Sequence, residues 1–250
     1  MELDLTLILL FVLTGLGAGI IDAIAGGGGM ITLPVLLASG MSPVEALATN
    51  KLQGSFGTFA ASVYFIRKKL VDLTQMKLMI LCTFIGAVSG TVIVQQLDTT
   101  LLASIMPLLL VAIALYFMFS KRIGDLDRDR KISNALFAFL FTTAIGFYDG
   151  FFGPGTGTFF ALAFVSLLGF SMSRATAHTK ILNFTSNLAS LIFFALGGNI
   201  LWLAGFIMAA GQLIGGQIGA HMVVNQGSRL IRPLVVLITL IMSVKLLLDH

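Results

Sequence analysis

The sequence predicts an all-α polytopic membrane protein built from two inverted repeats, and its composition, its apolar runs and an internal duplication support this fold class. Of its 250 residues, 57% are hydrophobic and 10% are charged, whereas a soluble domain has about 45–50% apolar and about 25% charged residues. The mean hydropathy is +1.01. Because so few charges cannot cover a soluble globule, and because a disordered chain lacks such apolar content, both of those classes are excluded.

The apolar runs between charged residues predict eight long membrane helices and two short segments. The long helices are predicted at residues 5–25, 43–66, 76–96, 99–120, 132–150, 174–197, 201–223 and 230–248. The short segments are residues 30–40 and 157–170, and each follows a glycine cluster. At 1.5 Å per residue the first extends about 16 Å, roughly half of the hydrocarbon thickness. Half-helices or re-entrant segments are therefore predicted there.

A hydrophilic stretch and a set of repeated motifs divide the chain into two halves. Residues 1–120 form the predicted first repeat, residues 121–131 a cytoplasmic linker, and residues 132–250 the second repeat. The glycine–aspartate motif ending at Asp22 recurs at Asp149 with an offset of 127 residues, and the stretch around Lys51 recurs around Lys180 with an offset of 129. A single two-residue insertion keeps the register, so the sequence predicts an internal duplication.

The distribution of Lys and Arg predicts that the two repeats are inverted. Where a loop of one half carries basic residues, the corresponding loop of the other half carries none. Four basic residues lie at positions 67–77 and none at the corresponding positions 197–201. One loop later, none lies at 95–99 and two lie at the corresponding positions 229 and 232. By the positive-inside rule, corresponding loops then lie on opposite sides of the membrane. We predict that the linker is cytoplasmic and that both termini lie on the opposite side of the membrane.

Glycine clusters interrupt the chain at equivalent places of the two halves, with Gly26 and Gly28 matching Gly153 and Gly155. Irregular backbone at membrane depth is tolerated only against protein or a water-filled cavity. Paired breaks of this kind indicate the central site of a transporter. The other interpretation is close helix packing, which is favoured for Gly86, Gly90 and the glycines at 211, 215 and 219.

Four charged residues, Asp22, Lys51, Asp149 and Lys180, are predicted to lie at membrane depth. Each costs roughly 2.5–3.5 kcal/mol at the bilayer centre, so each must be paired, hydrated or required for function. One interpretation is two buried Asp–Lys pairs that hold the halves together. The aspartates could also cap the broken helices, or carry a coupling proton.

Polar residues around the two lysines predict a binding site for a small oxyanion, because lysine supplies charge and amides and hydroxyls supply directed donors. Half-helix N-termini would add positive potential at the same depth. The alternative is interhelical hydrogen bonding without a ligand. The predicted substrate-binding residues are Thr49, Asn50, Lys51, Ser55, His178, Thr179, Lys180, Asn183 and Asn187.

Other chemistry finds no support in the sequence. His178 is interpreted either as a packing residue or as a proton relay. No His, Cys and carboxylate residues have metal-ligand spacing, and no catalytic constellation is present, so we predict no enzyme, no cofactor and no metal. A nucleic-acid partner is not predicted either.

Two pairs of segments resemble the signatures of a known family. GIIDAIAGGGG at 19–29 with ALATNK at 46–51, and GFYDGFFGPG at 146–155 with AHTK at 177–180, are similar to the first- and second-half motifs of the TauE/SafE sulfite exporter family. The resemblance covers nearly the whole chain and is greatest to bacterial inner-membrane members. It implies export or uptake of small sulfur-containing anions such as sulfite or sulfonates.

The sequence therefore predicts a secondary transporter that moves a small anion across the lipid bilayer by alternating access, with protons as a candidate coupling ion. Two alternatives are kept: an anion channel with the same central pore, and a non-transporting membrane scaffold subunit.

Overall fold

A computed structural model of the chain describes residues 4–106 and 129–226, and every regular element in these two ranges is helical. The first half contains α1 (Leu5–Ala25), α2 (Gly28–Ala38), α3 (Pro43–Arg67), α4 (Leu73–Gln96) and α5, which begins at residue 99 and is described to residue 106. In the second half α6 (Asn134–Leu136) continues through a π-helical segment (Phe137–Thr142) into α7 (Thr143–Phe151). Then follow α8 (Thr156–Leu168), α9 (Met172–Leu196) and α10 (Trp202–Gln226).

These bounds agree with the predicted helices wherever the two can be compared. The all-helical class is confirmed for the described residues. The prediction at 99–120 is described only as far as residue 106, and the helix predicted at 230–248 lies outside the described residues, as does most of the linker. The π-helical segment was not predicted; it shifts the hydrogen-bond register of a helix by one residue.

Local capping groups set where the long helices begin. The Asp4 carboxylate accepts a hydrogen bond from the Leu7 N–H at 2.8 Å at the start of α1. Ser42 and Glu45 form a reciprocal capping box at the start of α3, which satisfies two amide groups that lack intrahelical acceptors. Asp72 caps α4, and hydrogen bonds from the Thr74 hydroxyl and the Thr74 backbone N–H lower the pKa of Asp72.

Four of the described helices are long and apolar enough to cross a membrane: α1, α4, α9 and the Trp202–Asn225 part of α10. Helix α3 is 25 residues long but carries a buried polar face, which lowers its hydropathy. Helices α2 and α8 have 11 and 13 residues, or roughly 16 and 20 Å, short of the hydrocarbon thickness of about 30 Å.

Glycines allow two pairs of helices to pack backbone against backbone. A Cβ at Gly19 of α1 would lie 2.7 Å from the Gln212 carbonyl oxygen of α10, and one at Gly146 of α7 would lie 2.6 Å from the Thr83 carbonyl oxygen of α4. Close approach at small residues is how membrane helices gain packing contacts. Glycines predicted to pack helices also abut neighbouring backbone; they are Gly86, Gly90, Gly211, Gly215 and Gly219.

Two apolar clusters enclose a polar centre. Along α3, Leu47 and Leu52 belong to one cluster, called the cluster of Leu47 below, and Ala61 and Phe65 belong to the other, the cluster of Phe65. The buried polar residues of α3 lie between these two groups or next to them. Along α9 the order of the clusters is reversed, because Leu182 belongs to the cluster of Phe65 while Phe194 belongs to the cluster of Leu47. The two helices therefore cross the centre in opposite directions.

Apart from Lys51 and Lys180, the described basic residues are found where the cluster of Phe65 reaches the loops. The Lys131 N–H donates to the Leu167 carbonyl at 2.8 Å, and the Arg174 guanidinium lies 4.0 Å from the centroid of the Phe170 ring. Val71, from the loop that follows Arg67–Lys69, is buried in the same cluster. The acidic residues Glu45 and Asp98 lie at the opposite end of the structure, beside the cluster that contains Leu47.

Candidate functional site

Two ion pairs lie at the polar centre, and each joins the first half of the chain to the second. The Lys51 Nζ of α3 lies 2.7 Å from the Asp149 Oδ1 of α7, and the Lys180 Nζ of α9 lies 3.0 Å from the Asp22 Oδ2 of α1. The lysine side chains are each 1% exposed. Burial of an unpaired charge is costly, so this pairing is what permits four charged groups at this depth.

Asp149 is held by several donors besides the Lys51 ammonium. The Thr156 hydroxyl donates to Oδ1 at 2.9 Å, and the Ser186 hydroxyl donates to Oδ2. Lys51 donates in addition to the backbone carbonyl of Asp149. With its side chain only 3% exposed, this carboxylate has little access to the centre of the cavity described below.

Asp22 has fewer partners and more access. Besides the bond from Lys180, its carboxylate accepts one weak bond from the Gly28 N–H at 3.4 Å, near the limit for a hydrogen bond. Gly28 is the first residue of α2, so Asp22 faces the N-terminus of this broken helix, where partial positive charge favours an anion. The Asp22 side chain is 13% exposed.

An amide and hydroxyl network from α2 and α3 orients Asn50. Its Oδ1 accepts hydrogen bonds from the Thr32 hydroxyl at 2.5 Å and from the Gln53 Nε2 at 2.6 Å. The Thr32 hydroxyl in turn contacts the Gly28 carbonyl at 3.2 Å. The Asn50 oxygen already accepts two hydrogen bonds, so the amide nitrogen of this side chain remains available as a donor. Asn50 lines the cavity described below.

Two further amides come from α9, one turn apart. The only hydrogen bond that joins them runs from the Asn187 Nδ2 to the Asn183 Oδ1, at 3.5 Å. Within the described residues the Asn183 Nδ2 has no acceptor. Both side chains line the cavity, so α9 presents N–H groups toward α3.

These groups surround a small polar cavity of about 30 Å³, enough for one or two water molecules. Five glycines, five amides and the two aspartates form its wall, and no large apolar side chain contributes. The lining residues are Asp22, Gly26, Gly28, Gly29, Asn50, Gln53, Gly54, Asp149, Gly153, Asn183, Asn187 and Gln212.

The structure brings part of the predicted site to this cavity. Of the predicted substrate-binding residues, Asn50, Asn183 and Asn187 line it, and Lys51 and Lys180 reach its wall through their aspartates. Of the predicted helix-break residues, all but Gly155 line it; Gly155 precedes α8 with φ +80°.

Four predicted binding residues are turned elsewhere. Thr49 accepts a hydrogen bond from the Leu201 N–H at 3.2 Å, and the Ser55 hydroxyl donates to the carbonyl of Lys51 at 2.7 Å. The Thr179 hydroxyl is buried without a partner among the described residues. His178 Nδ1 bonds to the Arg174 carbonyl at 2.8 Å, and its ring packs against Phe164 and Phe170.

Four residues that line the cavity were not among the predicted site residues: Gly29, Gln53, Gly54 and Gln212. Gln212 is buried at 2% exposure in α10 and borders Gly57 and Gly19; its only signal was an amide in an apolar helix that also contains Gln217 and Gln226. Gln53 is buried with its Oε1 unpartnered within the described residues. Gly29 completes the α2 side of the wall.

Metal and thiol chemistry have no visible centre in the part of the chain that the structure describes. No three His, Cys, Asp or Glu side chains there come together as a metal site. Cys82 is a buried free cysteine in an apolar cluster. The residues that line the cavity supply amide donors and acceptors and two carboxylates.

Comparison with known proteins places these features in a family. A family model described as "Sulfite exporter TauE/SafE" matches residues 11–246. The chain is 49% identical to the "Probable membrane transporter protein YfcA" of Escherichia coli K12 over 93% of this chain and 86% of that protein. It is 47% identical to a "Probable membrane transporter protein" of Haemophilus influenzae over 100% of this chain and 98% of that protein. No solved structure matches the chain. The chain therefore belongs to the TauE/SafE sulfite exporter family.

Proposed function

We propose that this protein is a secondary membrane transporter that moves a small anion, either sulfite, a sulfonate or another organosulfur anion, by alternating access between two inverted halves. One observation carries the proposal: amide donors with no acceptor among the described residues, together with two cross-paired Lys–Asp sets, surround a polar cavity at the point where two membrane helices are broken. Both relatives named above are probable membrane transporters, which supports the same function.

The donors at the cavity suit an oxyanion. Amide N–H groups of Asn50, Asn183 and Asn187 can each donate to a different oxygen, and Lys51 and Lys180 stand one carboxylate away. In the proposal an anion competes with a paired carboxylate for a lysine at the cavity wall. The anion then exchanges its water shell for fixed donors in a site of low dielectric constant.

Equivalent contacts in the two halves support the inverted-repeat arrangement. Gly19 meets Gln212 and Gly146 meets Thr83; each contact maps onto the other when the offsets of 127 and 129 residues are applied. The ion pairs exchange in the same way. In the proposal two packings related by this exchange open the cavity alternately to the two sides of the membrane.

The charge distribution supports the proposed orientation. The described loops rich in Lys and Arg lie together at one end, which the positive-inside rule assigns to the cytoplasm. We place the protein in the bacterial inner membrane with the linker cytoplasmic and both termini periplasmic. Its partners are the anion, the lipid bilayer and, in the proposal, coupling protons.

A binding screen tests the proposal first. Thermal unfolding of the purified protein is followed with sulfite, thiosulfate, methanesulfonate and acetate, and a stabilising shift with at least one sulfur anion is expected. A scaffold subunit would show no shift with any of them.

Reconstitution then separates a transporter from a channel. Saturable anion flux into proteoliposomes that responds to a proton gradient supports the transporter, whereas single-channel currents support the channel. Flux should fall in a Lys51→Ala/Lys180→Ala variant and persist in Lys77→Ala/Lys131→Ala, which removes two exposed cations instead. Undiminished flux in the first variant would remove both lysines from the anion site.

A further inference from the structure

The two ion pairs are related by the internal duplication but differ in how firmly they are held. Lys51–Asp149 closes at 2.7 Å with the Asp149 side chain 3% exposed, whereas Lys180–Asp22 closes at 3.0 Å with the Asp22 side chain 13% exposed. Asp149 also receives two hydroxyl donors, while Asp22 receives one backbone N–H at 3.4 Å.

The sequence explains this difference. The hydroxyls that hold Asp149 belong to Thr156 and Ser186, and applying the repeat offsets places Gly29 and Gly57 at the equivalent positions of the first half. Glycine has no side chain, so neither hydroxyl exists around Asp22. Beside Gly57 the space is taken by the Gln212 amide, which makes no hydrogen bond to Asp22.

We infer that Asp22 is the residue that accepts a coupling proton and thereby releases Lys180 to the transported anion, while Lys51–Asp149 remains closed as a tie between the halves. This inference rests on the proposed function and assigns its coupling site. The step is a simple protonation: the Asp22 carboxylate takes up a hydrated proton from the aqueous solution and becomes a neutral carboxylic acid. The cavity wall then carries one uncompensated positive charge, which the anion neutralises.

The charged groups around Asp22 leave Lys180 as its direct partner. Helices α2 and α8 contain no titratable side chain. From α3, Lys51 is bound to Asp149 of α7, which lies on the same cavity wall. From α10 the residue at the cavity is the neutral Gln212, and His221 is instead bonded to Tyr64 at 2.8 Å.

The inference predicts how anion binding depends on pH. One proton taken up per anion makes the thiosulfate Kd fall about tenfold for each pH unit of acidification in the range where Asp22 is ionised. Thiosulfate is the probe because its own charge is constant from neutral to mildly acidic pH. Asp22→Asn should bind thiosulfate with a Kd that is independent of pH, whereas Asp98→Asn, at an exposed carboxylate outside the cavity, should keep the wild-type slope.

A hydroxyl added beside Asp22 provides a test with a variant that fits the fold. A Cβ at Gly29 would meet its nearest atoms, the Asn50 Nδ2 and the Pro154 Cα, at 3.5 Å, an ordinary contact distance. Because Gly29 is equivalent to Thr156 by the repeat offset, Gly29→Ser is expected to give Asp22 the hydroxyl that Thr156 gives Asp149. Because a hydrogen bond stabilises the ionised form, the pH midpoint of thiosulfate binding should move to more acidic values. Gly29→Ala adds the same Cβ without the hydroxyl and reports the effect of volume alone.

Infrared difference spectroscopy of the full-length protein in lipid tests the same residue without depending on transport. Acidification in the absence of anion should produce protonated-carboxyl bands, one of which is lost in Asp22→Asn but retained in Asp98→Asn, a variant at an exposed carboxylate outside the cavity. Thiosulfate should increase that band in the wild type. If no band is lost in Asp22→Asn, or if that variant keeps the wild-type pH dependence of binding, the inference is overturned. A band lost in Asp22→Asn without thiosulfate binding by any form supports the assignment of the proton site and contradicts the proposed function.

Discussion

Replacing Gly19 by alanine should destabilise the contact between α1 and α10. The added Cβ would lie 2.7 Å from the carbonyl oxygen and 3.0 Å from the Cα of Gln212. Both are backbone atoms of a packed helix, so α10 must shift to make room. Overpacking of this kind costs about 1–3 kcal/mol, while alanine gains about 0.5–1 kcal/mol over glycine within a helix.

Gly17→Ala in the same helix isolates the packing cost. A Cβ at Gly17 meets nothing within 4 Å, so this variant receives the helix-propensity gain alone. The difference in the free energy of unfolding between the two variants should then equal the overpacking cost, about 1–3 kcal/mol. Reversible unfolding in mixed micelles, followed by circular dichroism, measures it. Equal stability of the two variants would refute close backbone packing of α1 on α10.

Three further predictions concern the ion pair, the first helix break and a helix cap. Lys51→Met should cost about 3–5 kcal/mol because Asp149 is left buried and unpaired, and Lys51→Met/Asp149→Leu should recover part of this loss in the same unfolding assay; strictly additive losses would contradict the pairing. Gly26→Ala should lower the thermal midpoint more than Gly40→Ala, because both glycines have positive φ (+77° and +87°) but only Gly26 abuts the backbone of Gly157; equal losses would argue against that contact. Hydrogen bonds lower the pKa of Asp72 from its ordinary value of 3.8. Its contribution to stability is therefore present above pH 3.8 and is lost as the pH falls through the lower pKa of the folded state. Asp72→Asn should make the thermal midpoint less dependent on pH in the acid range, and an unchanged dependence would contradict this role.

Features that depend on local sequence were predictable. The break after Asp22 was expected because four successive glycines at membrane depth favour an irregular backbone, and α1 does end at Gly26 with φ +77°. The start of α3 follows from Ser42 and Glu45, which form a capping box, and from Pro43, which occupies the first turn of the helix. Helix bounds elsewhere follow from the lengths of the apolar runs.

Features that depend on contacts between residues far apart in the sequence could not be predicted. Lys51 meets Asp149 across 98 residues of sequence, and no local pattern tells whether a lysine pairs within its own half or with the other. The π-helical segment consists of apolar residues that would suit an α-helix equally well. Gln212 reaches the cavity only because glycines bring α10 close to α1 and α3, which is a consequence of packing.

The asymmetry between the halves is visible in the sequence but required the structure to interpret. Thr156 and Ser186 have glycines at the equivalent positions of the first half, a difference that means little until both hydroxyls are seen to bind one carboxylate. The polar residues of the two halves are likewise not equivalent, since Asn183 corresponds to Gly54 and Asn187 to Thr58. The cavity is therefore symmetric in its charges and asymmetric in its amides.

The most direct test of an anion site at this cavity is the flux of radiolabelled sulfite into proteoliposomes that contain the wild type, Asn183→Leu/Asn187→Leu or Asn225→Leu. The double variant removes two cavity donors without leaving a buried charge unpaired, and Asn225 is an exposed control outside the cavity. We expect saturable flux in the wild type and in Asn225→Leu, and loss of flux in the double variant while the protein remains folded. Wild-type flux in the folded double variant would rule out an anion site at this cavity.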